Sequence, residues 1–360
     1  MLEVKSTRMN PSFTILLTTT LLFATPALRG QIVSDNFNDG NDAGWTRANL
    51  LEPFGGTATY SFPNGNSYRM VPDPSPNPGA LGPARTGSLR VAEVYTNSFY
   101  VSVEMVGWAD IDIEQDIGIL ALVKELTIGE LDGYAFSYDV DAKLMFLSRL
   151  DNENPSSLGS FDAILDPAQG CRLVLQGFNG EMSGEVYSLA SPEILIGSIV
   201  VNDLTYTTGP CGLFVAHAGD GTGIADATYD NYRSTPNADL DHDGLPDKWE
   251  IDNFGHLVWF GVEDIDGDGQ TNLEEYIGGS DPDDPASLSG ITDVAVAGGQ
   301  VTLTFPILAG RSYALEISTD LETWTVQPGA VFADNGATGS LTLPTGGQSP
   351  LFGRVVATLD

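Results

Sequence analysis

The sequence predicts a mostly β protein: a large antiparallel β-sandwich, a short acidic loop–helix module and a small C-terminal β-sandwich. Three observations carry this expectation. Short apolar or β-branched runs, cut by Gly, Pro and Asn, recur from Gln31 to Arg233 with no long segment of 3.6-residue period. Between Asp239 and Pro285 fifteen acids stand beside one base. After Ser287 the short apolar runs resume.

At roughly 150 residues per domain, 360 residues suggest two or three domains. Forty-nine acids against fifteen bases leave a net charge of −34. That balance excludes nucleic-acid binding, which needs a basic face to displace counterions from phosphates. It argues equally against anionic membrane surfaces. Three histidines and two cysteines supply neither a zinc set nor a framework of several disulfides. A hydrophobic content of 42% excludes wholesale disorder.

The elements follow in chain order. Lys5 and Arg8 precede an apolar run from Phe13 to Ala24, then Pro26, Ala27 and Gly30. A basic start, a short apolar stretch and small residues are the parts of a secretory signal, here residues 1–30, cleaved between Ala27 and Gln31. The run is too short for the ~20 residues of a spanning helix, and no second long apolar stretch follows. The mature chain is expected to be exported, periplasmic or extracellular, without a membrane span. In an oxidising compartment Cys171 and Cys211, 40 residues apart, are expected to pair, two buried free thiols being the alternative.

The first sandwich is expected over 31–236. Its strands read as Ser98–Val106, Ile117–Val123, Gly133–Val140, Leu144–Leu150, Arg172–Gly177, Glu185–Ser188 and Gly212–His217, with Pro72 to Pro83 a loop. The tail, 287–360, offers Val301–Pro306, Ser312–Ser318 and Leu351–Val356, with Trp324 and Phe332 for a small core.

The acidic segment, 237–286, carries the clearest chemistry. Asp239, Asp241, Asp243, Asp247 and Glu250 occupy positions 1, 3, 5, 9 and 12 of a twelve-residue loop, with Gly244 at 6 and the Leu245 carbonyl at 7. Asp264, Asp266, Asp268, Asn272 and Glu275 repeat the arrangement 25 residues later, with Gly269 at 6 and the Gln270 carbonyl at 7. This is EF-hand-like spacing: alternate acids converge on one ion, glycine permits the turn, and the last glutamate can bind through both oxygens. A hard cation tolerant of about seven oxygens is required, which favours Ca²⁺ over octahedral Mg²⁺. Pro236 forbids an entering helix. A short helix is expected from Pro246 to Phe254, stopped by Gly255, and a second behind a Thr271/Glu274 capping box, ended by Gly278-Gly279. Loop-then-helix units of this kind resemble the dockerin-like and thrombospondin type 3-like calcium repeats of secreted proteins. The small apolar complement (Leu245, Trp249, Phe254, Leu273, Tyr276, Ile277) makes metal binding part of the folding energy.

The stretches Ser34-Asp35-Asn-Phe37-Asn-Asp39-Gly-Asn-Asp42-Ala-Gly-Trp45 and Ala227-Thr-Tyr229-Asp230-Asn231-Tyr232-Arg233 resemble the paired first and last strands of concanavalin A-like (laminin G-like) domains of secreted bacterial proteins. The resemblance implies a jelly roll often used to bind glycans, with Asp35, Asp39, Asp226 and Asp230 as candidates for a further calcium. Asp110-Ile-Asp112-Ile-Glu114 is similar to the Glu-x-Asp-x-Glu catalytic strand of laminarinase-like retaining glycosidases. Its lead residue is a methylene shorter. Residues four apart on a flat strand stand about 13 Å apart, against the ~5–5.5 Å that retaining chemistry wants. His217 is the one histidine of this region and no Gly-x-Ser-x-Gly elbow accompanies it. Trp45, Trp108, Tyr68 and Tyr134 are expected in the core rather than as sugar platforms. No catalytic residue is therefore expected. The sequence reads as an exported, non-catalytic calcium-binding protein that takes a glycan or cell-surface polymer, calcium stiffening the joint between its β domains. A laminarinase-like glycoside hydrolase and a structural matrix or adhesion protein are the alternatives.

Overall fold

Strand-forming runs of eight to eleven residues dominate the computed structural model. It describes residues 33–109, 114–190, 192–217, 225–344 and 351–359, with the backbone of Ile15–Leu17 and Leu22–Ala24. Asp110 and Asp112 lie outside the described residues. The protein is mostly β, its antiparallel sheets arranged as a sandwich. The chain divides into two compact units, one over Gly30–Leu240 and one over Asp241–Asp360 that also takes in the N-terminal segment.

Two sheets form the first unit. One has seven strands in the order Asn154–Asp162, Leu144–Asp151, Asp132–Asp139, Gln115–Lys124, Gly212–His217, Arg85–Leu89 and Thr46–Ala48. The other runs Leu195–Asn202, Glu181–Ser188, Cys171–Phe178, Ser98–Trp108, Ala227–Thr235, Tyr68–Pro72 and Ala58–Ser61. Val33–Asp35 also pairs, antiparallel, with Ala227–Thr235, so the first and last strands meet as the sequence suggests. Alternation fixes which side chains face inward. Ile117, Ile119, Phe136 and Tyr138 from the first sheet meet Val101, Val103, Leu173 and Leu175 from the second, all at most 1% exposed. Trp45, Trp108, Tyr68 and Tyr134 are buried in this core, not displayed as platforms. Within the expected Pro72–Pro83 loop one helical turn forms, Pro78–Leu81.

The expected disulfide is corrected: Cys171 and Cys211 are buried free thiols, each pushed up to about 12 by burial. They sit on different sheets: Cys171 opens the strand Cys171–Phe178 opposite Met105, and Cys211 immediately precedes Gly212–His217 of the seven-stranded sheet.

The second unit has one core for its acidic segment and its strands. Val301, Leu303, Phe305, Leu315, Leu341 and Val355 pack with Leu245, Tyr276 and Ile277. The helices are Asp247–Phe254 and Asn272–Gly278. Arg311 donates to the carbonyls of Tyr276 (3.1 Å) and Ile277 (3.2 Å), placing a cation at the C-terminal end of the second helix where the helix dipole favours it. Phe332 is corrected: at 43% exposed it stacks on Tyr313 outside the core, while Trp324 is half-buried under the Arg354 guanidinium. The apolar run expected as an export signal contributes two short strands, Ile15–Leu17 and Leu22–Ala24, parallel to Leu351–Leu359. Among the described residues no helix is long and apolar enough to cross a membrane.

Candidate metal centre and ligand groove

The second loop shows most plainly what its residues are built for. Asp264 accepts the Gly267 and Gly269 N–H groups at 2.8 and 3.0 Å, Asp266 Oδ1 accepts Asp268 N–H, and Asp268 Oδ1 accepts Gln270 N–H. These bonds wind the chain so that an oxygen from each of Asp264, Asp266 and Asp268 lies within 4.8 Å of the other two. Glycine is needed at the turn: Gly267 and Gly269 adopt φ of 78° and 96°, where a Cβ is strained. Thr271 then caps the helix as expected. Its Oγ1 accepts Glu274 N–H at 3.3 Å, and Glu274 Oε2 accepts Thr271 N–H at 2.8 Å.

That helix start delivers Asn272 and Glu275 fully buried. Both Glu275 oxygens, Asn272 Oδ1, Asp266 Oδ2 and Asp268 Oδ2 are buried without a hydrogen-bond partner among the described residues. Burial, then the charges of Asp266 and Asp268, push the Glu275 carboxyl up to about 7. Burial also raises Asp266. Buried oxygens are ordinarily satisfied, and this set, left open and mutually repelling, could hold a cation. All of these ligand atoms are oxygens, which suits a hard divalent ion.

Loop one has the same plan. Asp241, Asp243 and Glu250 each bring an oxygen within 4.8 Å of the others. Asp247 and Glu250 are wholly buried at the start of their helix, which Gly255 ends in the left-handed conformation. Asp243 has a second task that the spacing does not reveal. Its Oδ1 accepts Leu245 N–H at 2.8 Å and its Oδ2 accepts Gly261 N–H at 2.6 Å, tying the inter-loop segment to loop one. Burial raises its carboxyl above the usual range. Asp239 lies at the end of the first unit, where its N–H donates to Gln176 Oε1 at 3.3 Å. At the seventh positions, Leu245 is buried and the Gln270 side chain is held by Ser289, so only their carbonyls remain for a metal. Spacing brings out the acids that converge here; it does not reveal the Gln270–Ser289 clasp, for which the sequence carries no signal.

Asp35, Asp39, Asp226 and Asp230 are used otherwise. Asp35 accepts Phe37 N–H and Trp45 Nε1–H, both at 2.8 Å. Asp226 pairs with Arg69 at 2.8 Å and accepts Ala109 N–H. Asp39 accepts Asn41 N–H in a turn, and Asp230, within the strand Ala227–Thr235, accepts Asn231 N–H. None of the four belongs to a metal-competent group among the described residues.

The first unit carries a second feature that the sequence does not disclose. The outer face of its seven-stranded sheet bears a groove of about 410 Å³. Its floor is apolar, with Leu120, Ala135, Phe146 and Phe214. Gly87 and Gly118 flank Phe214 in register and leave the middle of the floor low. One part of the lining is acidic: Asp116 and Asp139 are directly opposed partners on neighbouring strands. Burial, then the charges of Asp139 and Glu114, push Asp116 up to about 7. His217, the one candidate for a serine triad, is buried.

No protein-family model matches the chain, and no curated protein matches its sequence. Solved structures align with part of the chain at low identity. A carbohydrate-binding module, CBM66 from Bacillus subtilis, aligns at 14% identity with a TM-score of 0.37 over 60% of this chain and 99% of the module. A prokaryotic β-1,3-1,4-glucanase (lichenase) from a mouse hindgut metagenome aligns at 13% and 0.42 over 57% of this chain and all of the enzyme. The lumenal domain of VIP36, solved with Ca²⁺ and Man3GlcNAc, aligns at 9% and 0.42 over 59% of this chain and 93% of that domain.

Proposed function

We propose that this is an exported calcium-binding protein whose β-sandwich binds a carbohydrate or surface polymer without cleaving it. Two Ca²⁺ ions hold the acidic segment. Asp239, Asp241, Asp243, Asp247, Glu250 and the Leu245 carbonyl take one; Asp264, Asp266, Asp268, Asn272, Glu275 and the Gln270 carbonyl take the other. The observation that carries the reading is Glu275, fully buried with neither carboxylate oxygen hydrogen-bonded, beside three converging aspartates. Extracellular sites of this type bind at roughly 10⁻⁴ to 10⁻³ M, which suits structure better than signalling. The domain division 31–236, 237–286 and 287–360 assigns calcium the role of stiffening the joint between β domains. The groove of the first unit supports the carbohydrate part: an apolar floor with a few polar groups is the usual form of a small-molecule site.

Limited proteolysis with Ca²⁺ and with EGTA tests the metal reading. EGTA exposes residues 241–286 to cleavage; equal resistance in both states defeats it. A glycan array with a parallel reducing-sugar assay tests the rest. Binding without new reducing ends supports it, and silence or cleavage overturns it.

A further inference from the structure

Within the groove, charge singles out one class of sugar. Arg85 is the one cation among the described lining residues, and its charge is taken up by Glu153. Its Nε and Nη2 donate to the two Glu153 oxygens at 2.8 and 2.7 Å, and its Nη1 donates to the carbonyls of Leu81 and Pro83 at 3.0 and 2.7 Å. The uncompensated charges of the lining are therefore Asp116 and Asp139. They face one another across the strands Gln115–Lys124 and Asp132–Asp139, on the groove side of the sheet. Opposed residues of this kind have Cβ atoms about 5 Å apart, and like charges placed so are destabilising.

We propose that the groove binds an amine-bearing glycan, with a protonated amino group of a glucosamine-type unit seated between Asp116 and Asp139. This rests on the carbohydrate reading above and names the sugar class. The floor offers apolar surface to a ring face, with Phe214 and Phe146 on either side of the low strip at Gly118 and Ser137. Ser148 and Ser157 line the far side and offer hydroxyls to ring oxygens. An ammonium gains a charge-assisted hydrogen bond from each carboxylate and removes their repulsion, whereas a uronate or sulfate meets only like charge. Among the described residues, the charged groups facing Asp116 are Asp139 on one neighbouring strand and Glu114 just ahead of its own; the other neighbouring strand presents neutral Ala216. Burial beside these acids already disfavours the Asp116 carboxylate, so a cation that restores it gains affinity as pH rises towards 7.

The test is calorimetry on the full chain, with Ca²⁺ present, using three hexasaccharides: glucosamine, N-acetylglucosamine and glucose. The glucosamine oligomer binds, and the N-acetylated and neutral oligomers bind at least tenfold more weakly. Asp116→Asn with Asp139→Asn costs at least tenfold. Asp162→Asn with Glu181→Gln, an equal charge change at exposed positions outside the groove, leaves binding unchanged and removes general attraction to an acidic protein as an explanation. Amide exchange over 115–139 confirms that the double variant keeps its sheet. No binding of the glucosamine oligomer, equal binding of its N-acetylated form, or equal loss in both double variants overturns the proposal. Binding of the glucose oligomer alone overturns it while leaving the carbohydrate reading in place.

Discussion

Replacing Asp116 by asparagine changes how the first unit's stability responds to pH, by an amount the groove geometry sets. Asp116 is mostly buried opposite Asp139, and its carboxyl is pushed from the ordinary 3.8 up to about 7. Between these values the folded chain holds a proton that the unfolded chain releases, so stability falls as pH rises through the window. Below pH ~4 both states are protonated, and above ~7 both are ionised, so the effect is confined between them. At ~1.4 kcal/mol per unit, the whole window is worth ~4 kcal/mol. The amide of Asp116→Asn is neutral throughout, so the variant does not lose stability in this way. The free-energy difference between variant and wild type therefore shifts in favour of the variant by a few kcal/mol from pH 4 to pH 8. Amide exchange on peptides covering residues 115–139 reads it locally, because comparing both proteins at each pH cancels intrinsic exchange rates. Curves that stay parallel within ~0.5 kcal/mol across this range refute the reasoning.

Three other outcomes follow from named contacts. Phe136→Ala empties a fully buried position between the two sheets and costs ~3–5 kcal/mol, measured by chemical unfolding of the first unit. Thr271→Ala removes the capping-box acceptor for Glu274 N–H and costs ~1 kcal/mol, read as lower protection of residues 272–278 in amide exchange. Glu275→Gln lowers calcium affinity at loop two at least tenfold by calorimetry. In the absence of calcium it stabilises the second unit, because a neutral amide replaces a buried, repelled carboxylate.

The parts legible in the sequence were those whose signal is local. Six strands of the first unit were readable within about two residues, because turn residues bound them: Ser98–Val106 becomes Ser98–Trp108 and Gly212–His217 is unchanged, whereas the expected Glu185–Ser188 begins four residues earlier, at Glu181. The helix behind Thr271 was readable from its cap and its two terminal glycines. Asn154–Asp162 and Leu195–Asn202 were not, since both lie at sheet edges with mostly exposed side chains and lack a buried alternation. Spacing alone exposed the converging acids of the loops. It could not expose the groove, where Arg85, Asp116, Asp139, Ser157 and Phe214 come from five strands and meet only through register. The pairing of Cys171 with Cys211 failed for the same reason. Cys171 was readable as a strand residue, Cys211 falls just before its expected strand, and whether two thiols on different sheets meet depends on how the strands align.

Calcium calorimetry on the full chain at near-neutral pH, compared with Glu250→Gln and Glu275→Gln, tests the metal reading most directly. Two sites per chain are predicted at roughly 10⁻⁴ to 10⁻³ M, with each substitution removing one. Absence of heat up to ~5 mM Ca²⁺, or two undiminished sites in both variants, would contradict it.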